Sequence, residues 1–101
     1  MRMLLTVGIP HEPFNTAVRN GTAGATLARI LEAMKPEAAY FTEENGHRQG
    51  VFVVEVERPS QVPSLAEPWF LSFNGDCKFR IVMSPEDLAE AGLEELGKSW
   101  A

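Results

Sequence analysis

Hydrophobic and polar positions alternate along the first stretch of the chain. Met3, Leu5, Val7 and Ile9 fall on one side of an extended segment and Leu4, Thr6 and Gly8 on the other, so Met3 to Ile9 predicts a β-strand that Pro10 ends. After His11, Glu12 and Pro13 the period becomes helical. Phe14, Ala17 and Val18 mark an early turn that runs into Asn20, Gly21 and Gly24. Such residues weaken a helix by up to about 1 kcal/mol each relative to Ala, which predicts a break there. From Ala23 the spacing of Leu27, Ile30, Leu31 and Met34 predicts a cleaner amphipathic helix, and Pro36 forbids its continuation.

The next two strands, Ala38 to Glu43 and Arg48 to Val56, flank Asn45-Gly46, a dipeptide suited to the positive φ angles of a type I′ hairpin turn. A two-residue loop fixes the register, pairing Glu44 with His47, Glu43 with Arg48, Thr42 with Gln49, Phe41 with Gly50, Tyr40 with Val51 and Ala39 with Phe52. Glu43 opposite Arg48 is expected to add about 0.2 to 1 kcal/mol. Val62, Leu65, Ala66, Trp69 and Phe73 then share one stripe of a second helix within Ser60 to Asn74. Its start is irregular up to about Pro63, and Gly75 stops it. Lys78 to Met83 alternates again as a fourth strand. Ser84 as N-cap, Pro85 at the first helical position and Glu86-Asp87 in the first turn open a third helix, with Ala89, Leu93, Leu96 and Trp100 on its apolar side.

The order β-α-β-β-α-β plus a terminal helix is the split βαβ pattern, a ferredoxin-like α+β fold with both crossover helices on one face of a four-stranded antiparallel sheet. The apolar face belongs under the helices, which assigns Leu5, Val7, Ile9, Ala39, Phe41, Phe52, Val54, Val56, Phe79, Ile81 and Met83 to the core. The other face mixes Leu4, Thr6, Tyr40, Thr42, Val51, Val53, Glu55, Lys78, Arg80 and Val82. It is too apolar to lie wholly in water and too polar for a second dry core, so it is expected to meet its own copy across a two-fold axis around a partly polar cavity.

A length of 101 residues at 45% hydrophobic content is enough for one domain, residues 1–101, with a core that needs no metal or disulfide. No apolar run is long enough to cross a bilayer and the first residues do not read as a signal peptide, so the expectation is a cytoplasmic protein without membrane contact. The lone Cys77 is expected to be a buried small hydrophobe. A net charge of -5, with no run of basic residues, disfavours nucleic acid as a partner. The acidic excess Glu86, Asp87, Glu90, Glu94 and Glu95 reads as a solvated helix face.

Stretches of the chain carry a resemblance as well: Lys35-Pro36-Glu37-Ala38-Ala39-Tyr40-Phe41, Gly46-His47-Arg48-Gln49-Gly50, Ala66-Glu67-Pro68-Trp69-Phe70 and Val82-Met83-Ser84-Pro85-Glu86-Asp87-Leu88. Over most of its length the sequence resembles small uncharacterised bacterial proteins of the dimeric α+β barrel class. The resemblance implies that fold and a homodimer through the sheet face. The wider class includes cofactor-free monooxygenases, muconolactone-type isomerases and haem-degrading enzymes. Haem is disfavoured because the first strand offers Thr6 in place of the Asn of the haem-degrading pattern and both histidines are expected in loops. No cofactor is expected.

Candidate chemistry is sparse. His11 follows the first strand and His47 sits in the hairpin, which is expected to put them at opposite ends of the sheet and unable to share a metal. His47 reads as a turn residue, and His11, with Glu12 beside it, is the better acid-base candidate. Thr6, Tyr40, Glu55 and Arg80 project from different strands onto the mixed face as a ligand-binding set. Arg80 would be the charge partner of an anionic or enolic small molecule, with Tyr40 or Glu55 exchanging a proton. Alternatively, Glu55 and Arg80 pair between subunits with Tyr40 packed beside them. Trp69, Phe70 and Phe73 read as core rather than pocket lining. No glycine-rich phosphate loop, nucleophile elbow, HExxH or CxxC element is present. Two functions follow from the mixed face: a dimer holding a small organic ligand between its sheets, or a cofactor-free isomerase or monooxygenase acting on a small carboxylate or phenol in the same space.

Overall fold

A computed structural model describes residues 1–101. The elements are β1 (Arg2–Ile9), α1 (His11–Arg19), α2 (Ala23–Met34), β2 (Ala38–Glu44), β3 (His47–Glu55), a 3₁₀ turn (Pro59–Gln61), α3 (Val62–Phe73), β4 (Asp76–Ile81), α4 (Pro85–Glu90) and α5 (Leu93–Ser99). The break expected after the first helical turns lies between α1 and α2, where Gly21 takes φ 79°. The irregular start of the next helix is the 3₁₀ turn. Its end differs in detail from the expectation: Asn74, at φ 54°, takes the left-handed position. Gly75 is closely packed instead: a Cβ there would lie 3.3 Å from both the Trp69 carbonyl oxygen and Val7 Cγ1, so these neighbours would have to give way slightly.

The four strands form one antiparallel sheet in the order β2-β3-β1-β4, an α+β arrangement compatible with the split βαβ pattern. The hairpin register is the one expected from the Asn45-Gly46 turn, from Glu44 opposite His47 to Ala39 opposite Phe52, with φ 53° and 79° at the two turn residues. Glu43 stands opposite Arg48 as expected, but the two form no ion pair. Arg48 Nη1 donates to Asn15 Oδ1 at 2.8 Å, its guanidinium lies 4.5 Å over the Phe14 ring, and Glu43 accepts from the Gly46 amide.

Leu5, Val7, Ile9, Phe52, Val54 and Val56 of the sheet are buried against Phe14, Ile30, Met34, Leu65, Trp69 and Phe73 of α1, α2 and α3. Trp69 is the hub. It is fully buried, stacks 5.4 Å from Phe52 and donates its Nε1–H to Met34 Sδ at 3.3 Å. Phe79 is only partly buried, and Ala39, Phe41, Ile81 and Met83, expected in the core, are exposed. These four lie on the edge strand β2 or at and beyond the end of β4, outside the ground covered by three helices. The expected single terminal helix is two short ones, because Gly92 turns the backbone at φ 71°, and neither buries a residue. This C-terminal arm stretches the chain to 60 Å along its longest axis against 28 and 19 Å across. The radius of gyration is 17.2 Å, where a rounded chain of this length has about 13 Å. No helix is long and apolar enough to cross a membrane.

Candidate functional site

Side chains of the face opposite the helices fall into rows set by the strand registers. Tyr40, Val51, Thr6 and Lys78 form one row, and Ala38, Val53, Leu4 and Arg80 the next. Toward the hairpin the following row is Thr42, Gln49, Gly8 and Asp76. With no side chain at Gly8, that row has a gap in the middle. The gap opens into a cavity of about 470 Å³ whose walls include Thr6, Glu44, His47, Gln49, Asp76 and Lys78, with Pro10 at its edge. Lys78 and Asp76 form no ion pair within the chain, so the cavity offers a cation, carboxylates, an amide, a hydroxyl and an imidazole to a bound molecule.

The two histidines do not lie at opposite ends of the sheet. Ile9 pairs with Arg48, so the end of β1 lies beside the start of β3. His11, the first residue of α1, and His47, the first of β3, bring their ring centroids to 4.6 Å at 31°. His47 opens a strand, whereas His11 is separated from the regular turns of α1 by Glu12, whose backbone is extended at φ -112° and ψ 143°. The antiparallel pairing of β1 with β3 dictates this, because it reverses the direction of β3 and brings the hairpin back to where β1 ends. His47 Nδ1 lies 3.2 Å from the Asn45 carbonyl oxygen. Glu12, beside His11, is occupied elsewhere: its carboxylate accepts from the Thr16 hydroxyl at 2.6 Å and from the Thr16 amide. These bonds, the hydroxyl first, hold its pKa below the ordinary Glu value. No group of three or more His, Cys, Asp or Glu side chains is arranged to hold a metal ion.

Of the expected ligand-binding set, only Thr6 lines the cavity. Tyr40 belongs to the same row but stands on the edge strand, 70% exposed. Arg80 lies one row away opposite Leu4, without an acidic partner in the chain. Glu55 sits beyond that row, opposite Arg2, where it accepts from the N-terminal ammonium. Thr6, Tyr40, Glu55 and Arg80 therefore share a face without converging on one point. Gln49, Asp76 and Lys78 were not singled out from sequence, although the hairpin register places Gln49 beside Thr42 at the cavity end of the sheet. Cys77 points to the other side of β4, half-buried near the Ala66 carbonyl. Burial first, and then the Asp76 charge, push its thiol up to about 11, which is the reverse of what a nucleophile needs. No family model matches this sequence, and no curated protein matches it.

Proposed function

We propose that the chain is one subunit of a homodimer of the dimeric α+β barrel class, joined sheet to sheet, and that it binds a small organic molecule in the Thr6–Gln49–Lys78 cavity. The observation that supports this best is the continuity of the face opposite the helices. Partly buried Leu4, Val51 and Val53 stand in the Thr6 row and the next one, beside a polar cavity, and two cations without acidic partners, Lys78 and Arg80, stand along β4. An apolar strip beside a recess of mixed polarity is what a protein interface enclosing a ligand pocket requires. Lys78 suits a carboxylate or phenolate, Thr6 and Gln49 supply hydrogen bonds, and Asp76 takes a donor group of the ligand, while Arg80 stands one row away. A catalytic version, a cofactor-free isomerase or monooxygenase, draws on the His11–His47 pair at the cavity rim, since imidazole is the commonest proton-exchanging side chain in such chemistry.

Light scattering at micromolar concentration is expected to give the dimer mass. Val53→Asp puts an unpaired carboxylate into the joined face and should weaken the dimer by about 2 kcal/mol or more, roughly thirtyfold. A monomeric wild-type chain, or a Val53→Asp dimer of unchanged affinity, refutes the sheet-to-sheet reading. For the cavity, benzoate and phenol titrations should produce a thermal shift in the wild type that Gly8→Val removes. The Cβ at position 8 meets nothing closer than Asp76 Cβ at 3.9 Å, so that variant fills the recess while the sheet stays intact. An identical shift in both proteins would place binding elsewhere.

A further inference from the structure

Two apolar surfaces are left without a partner, and they lie at opposite edges of the same sheet. One is the helix-side surface of β2. Every residue of that strand except Ala38 is exposed, and Phe41, whose ring touches the buried Phe52 edge-on at 5.7 Å, is still 51% exposed because none of α1, α2 and α3 extends over it. The other is the C-terminal arm beyond β4. Leu88, Leu93, Leu96 and Trp100 are 44, 56, 47 and 85% exposed, although Ser84 and Asp87 cap the start of α4. The bend at Gly92 gives the arm a hollow of about 620 Å³ lined by Leu88, Ala89 and Leu93 together with the side chains of Glu94 and Glu95.

We infer that the arm, residues 82–101, packs on the uncovered helix-side surface of β2 in a second copy of the chain. The inference rests on the dimer reading above and names a further surface of that dimer. The arm cannot serve its own β2. In the order β2-β3-β1-β4 the arm starts at the far edge, three strand spacings or about 14 Å away, with the helix layer standing in between. A second copy removes the obstacle. A two-fold axis running along the strands between facing sheets places β4 of one subunit over β2 of the other, so each arm starts beside the partner's uncovered strand. The hollow at Gly92 then receives the Phe41 ring between Leu88 and Leu93, and Glu86 and Glu90, which do not line that hollow, stay in water.

Paired cysteines in the full-length chain test this, with Cys77→Ser removing the native thiol. Phe41→Cys chains are mixed under mild oxidation with chains carrying Leu88→Cys, Leu93→Cys or Leu96→Cys. The expected result is a disulfide-linked two-chain species in at least one mixture, and a linked dimer when both changes sit on one chain. An internal bridge in a chain of monomer mass overturns the inference, as does a complete lack of bridging while light scattering still gives the dimer and Val53→Asp still dissociates it. That second pattern leaves the sheet-to-sheet reading standing. Leu93→Asp with Leu96→Asp should independently weaken the dimer at least tenfold while the near-ultraviolet signal of buried Trp69 is kept; an unchanged dimer overturns the inference. Bridging accompanied by a Val53→Asp dimer of normal affinity supports the arm contact and removes the sheet contact alone.

Discussion

A Cβ at Gly50 would lie 2.6 Å from two atoms of the Phe52 ring, because that ring folds back along its own strand to fill the space a side chain at position 50 would take. The ring is held there from the other side by Trp69, stacked at 5.4 Å. Gly50→Ala must therefore push Phe52 into a tightly packed neighbour, and the expected loss is about 1 to 3 kcal/mol. Urea denaturation measures it, and an unchanged midpoint would mean that the ring has room to move. The pairing of Phe41 with Gly50 and the inward face of Phe52 were legible in the alternation and the two-residue turn. The demand for glycine was not, since it arises from a rotamer chosen to suit α3. His11 and His47 show the reverse case. Their meeting follows from the reversal of direction between β1 and β3, and expecting the hairpin at the opposite end of the sheet from the end of β1 overlooks that reversal.

Elements whose beginnings are set by neighbouring residues were the most legible, and α4 is the clearest. Ser84 Oγ accepts from the Asp87 amide at 3.1 Å and the Asp87 carboxylate accepts from the Ser84 amide at 3.0 Å, a reciprocal cap that Ser-Pro-Glu-Asp announces. The Ser84 amide, followed by the Ser84 side chain, holds the Asp87 carboxyl below the ordinary Asp value. A carboxyl depressed in the folded helix stabilises it fully above the ordinary Asp range, and this support is lost as pH falls through the lowered value. Carboxyl-carbon NMR should show Asp87 titrating below a free Asp, with the Ser84 and Asp87 amide shifts moving in the same step. An Asp87 midpoint at the free value would mean the cap is open in solution. What the sequence did not reveal is where α4 and α5 lie. Leu93, Leu96 and Trp100 have the spacing of a buried stripe, and the same spacing results whether the covering surface belongs to the same chain or to another. Edge residues Phe41 and Ile81 mislead for the same reason: alternation assigns a face, whereas burial depends on how far the helices reach across it.

At the scale of the whole molecule, a folded chain of 11.2 kDa is expected to expose about 5,700 Å². This one exposes 7047 Å² and buries 16 of its 101 residues. The excess of about 1,300 Å² exceeds the roughly 800 Å² each partner contributes to an ordinary protein interface. The exposed large apolar residues include Leu88, Leu93, Leu96 and Trp100 on the arm and Phe41 on the edge strand, the surfaces assigned above to a second copy. If those surfaces are buried only in the dimer, unfolding and dissociation are one event, and stability must depend on protein concentration by mass action. Each tenfold increase in concentration then adds about 1.4 kcal/mol per dimer. For an assembly of about 200 residues that corresponds to a rise of roughly 3 to 5 °C in the unfolding midpoint. Calorimetry from micromolar to several hundred micromolar should show this slope, and Val53→Asp should flatten it while lowering the midpoint. A midpoint constant over that range would mean that the single chain, with its arm extended and β2 bare, is the stable unit.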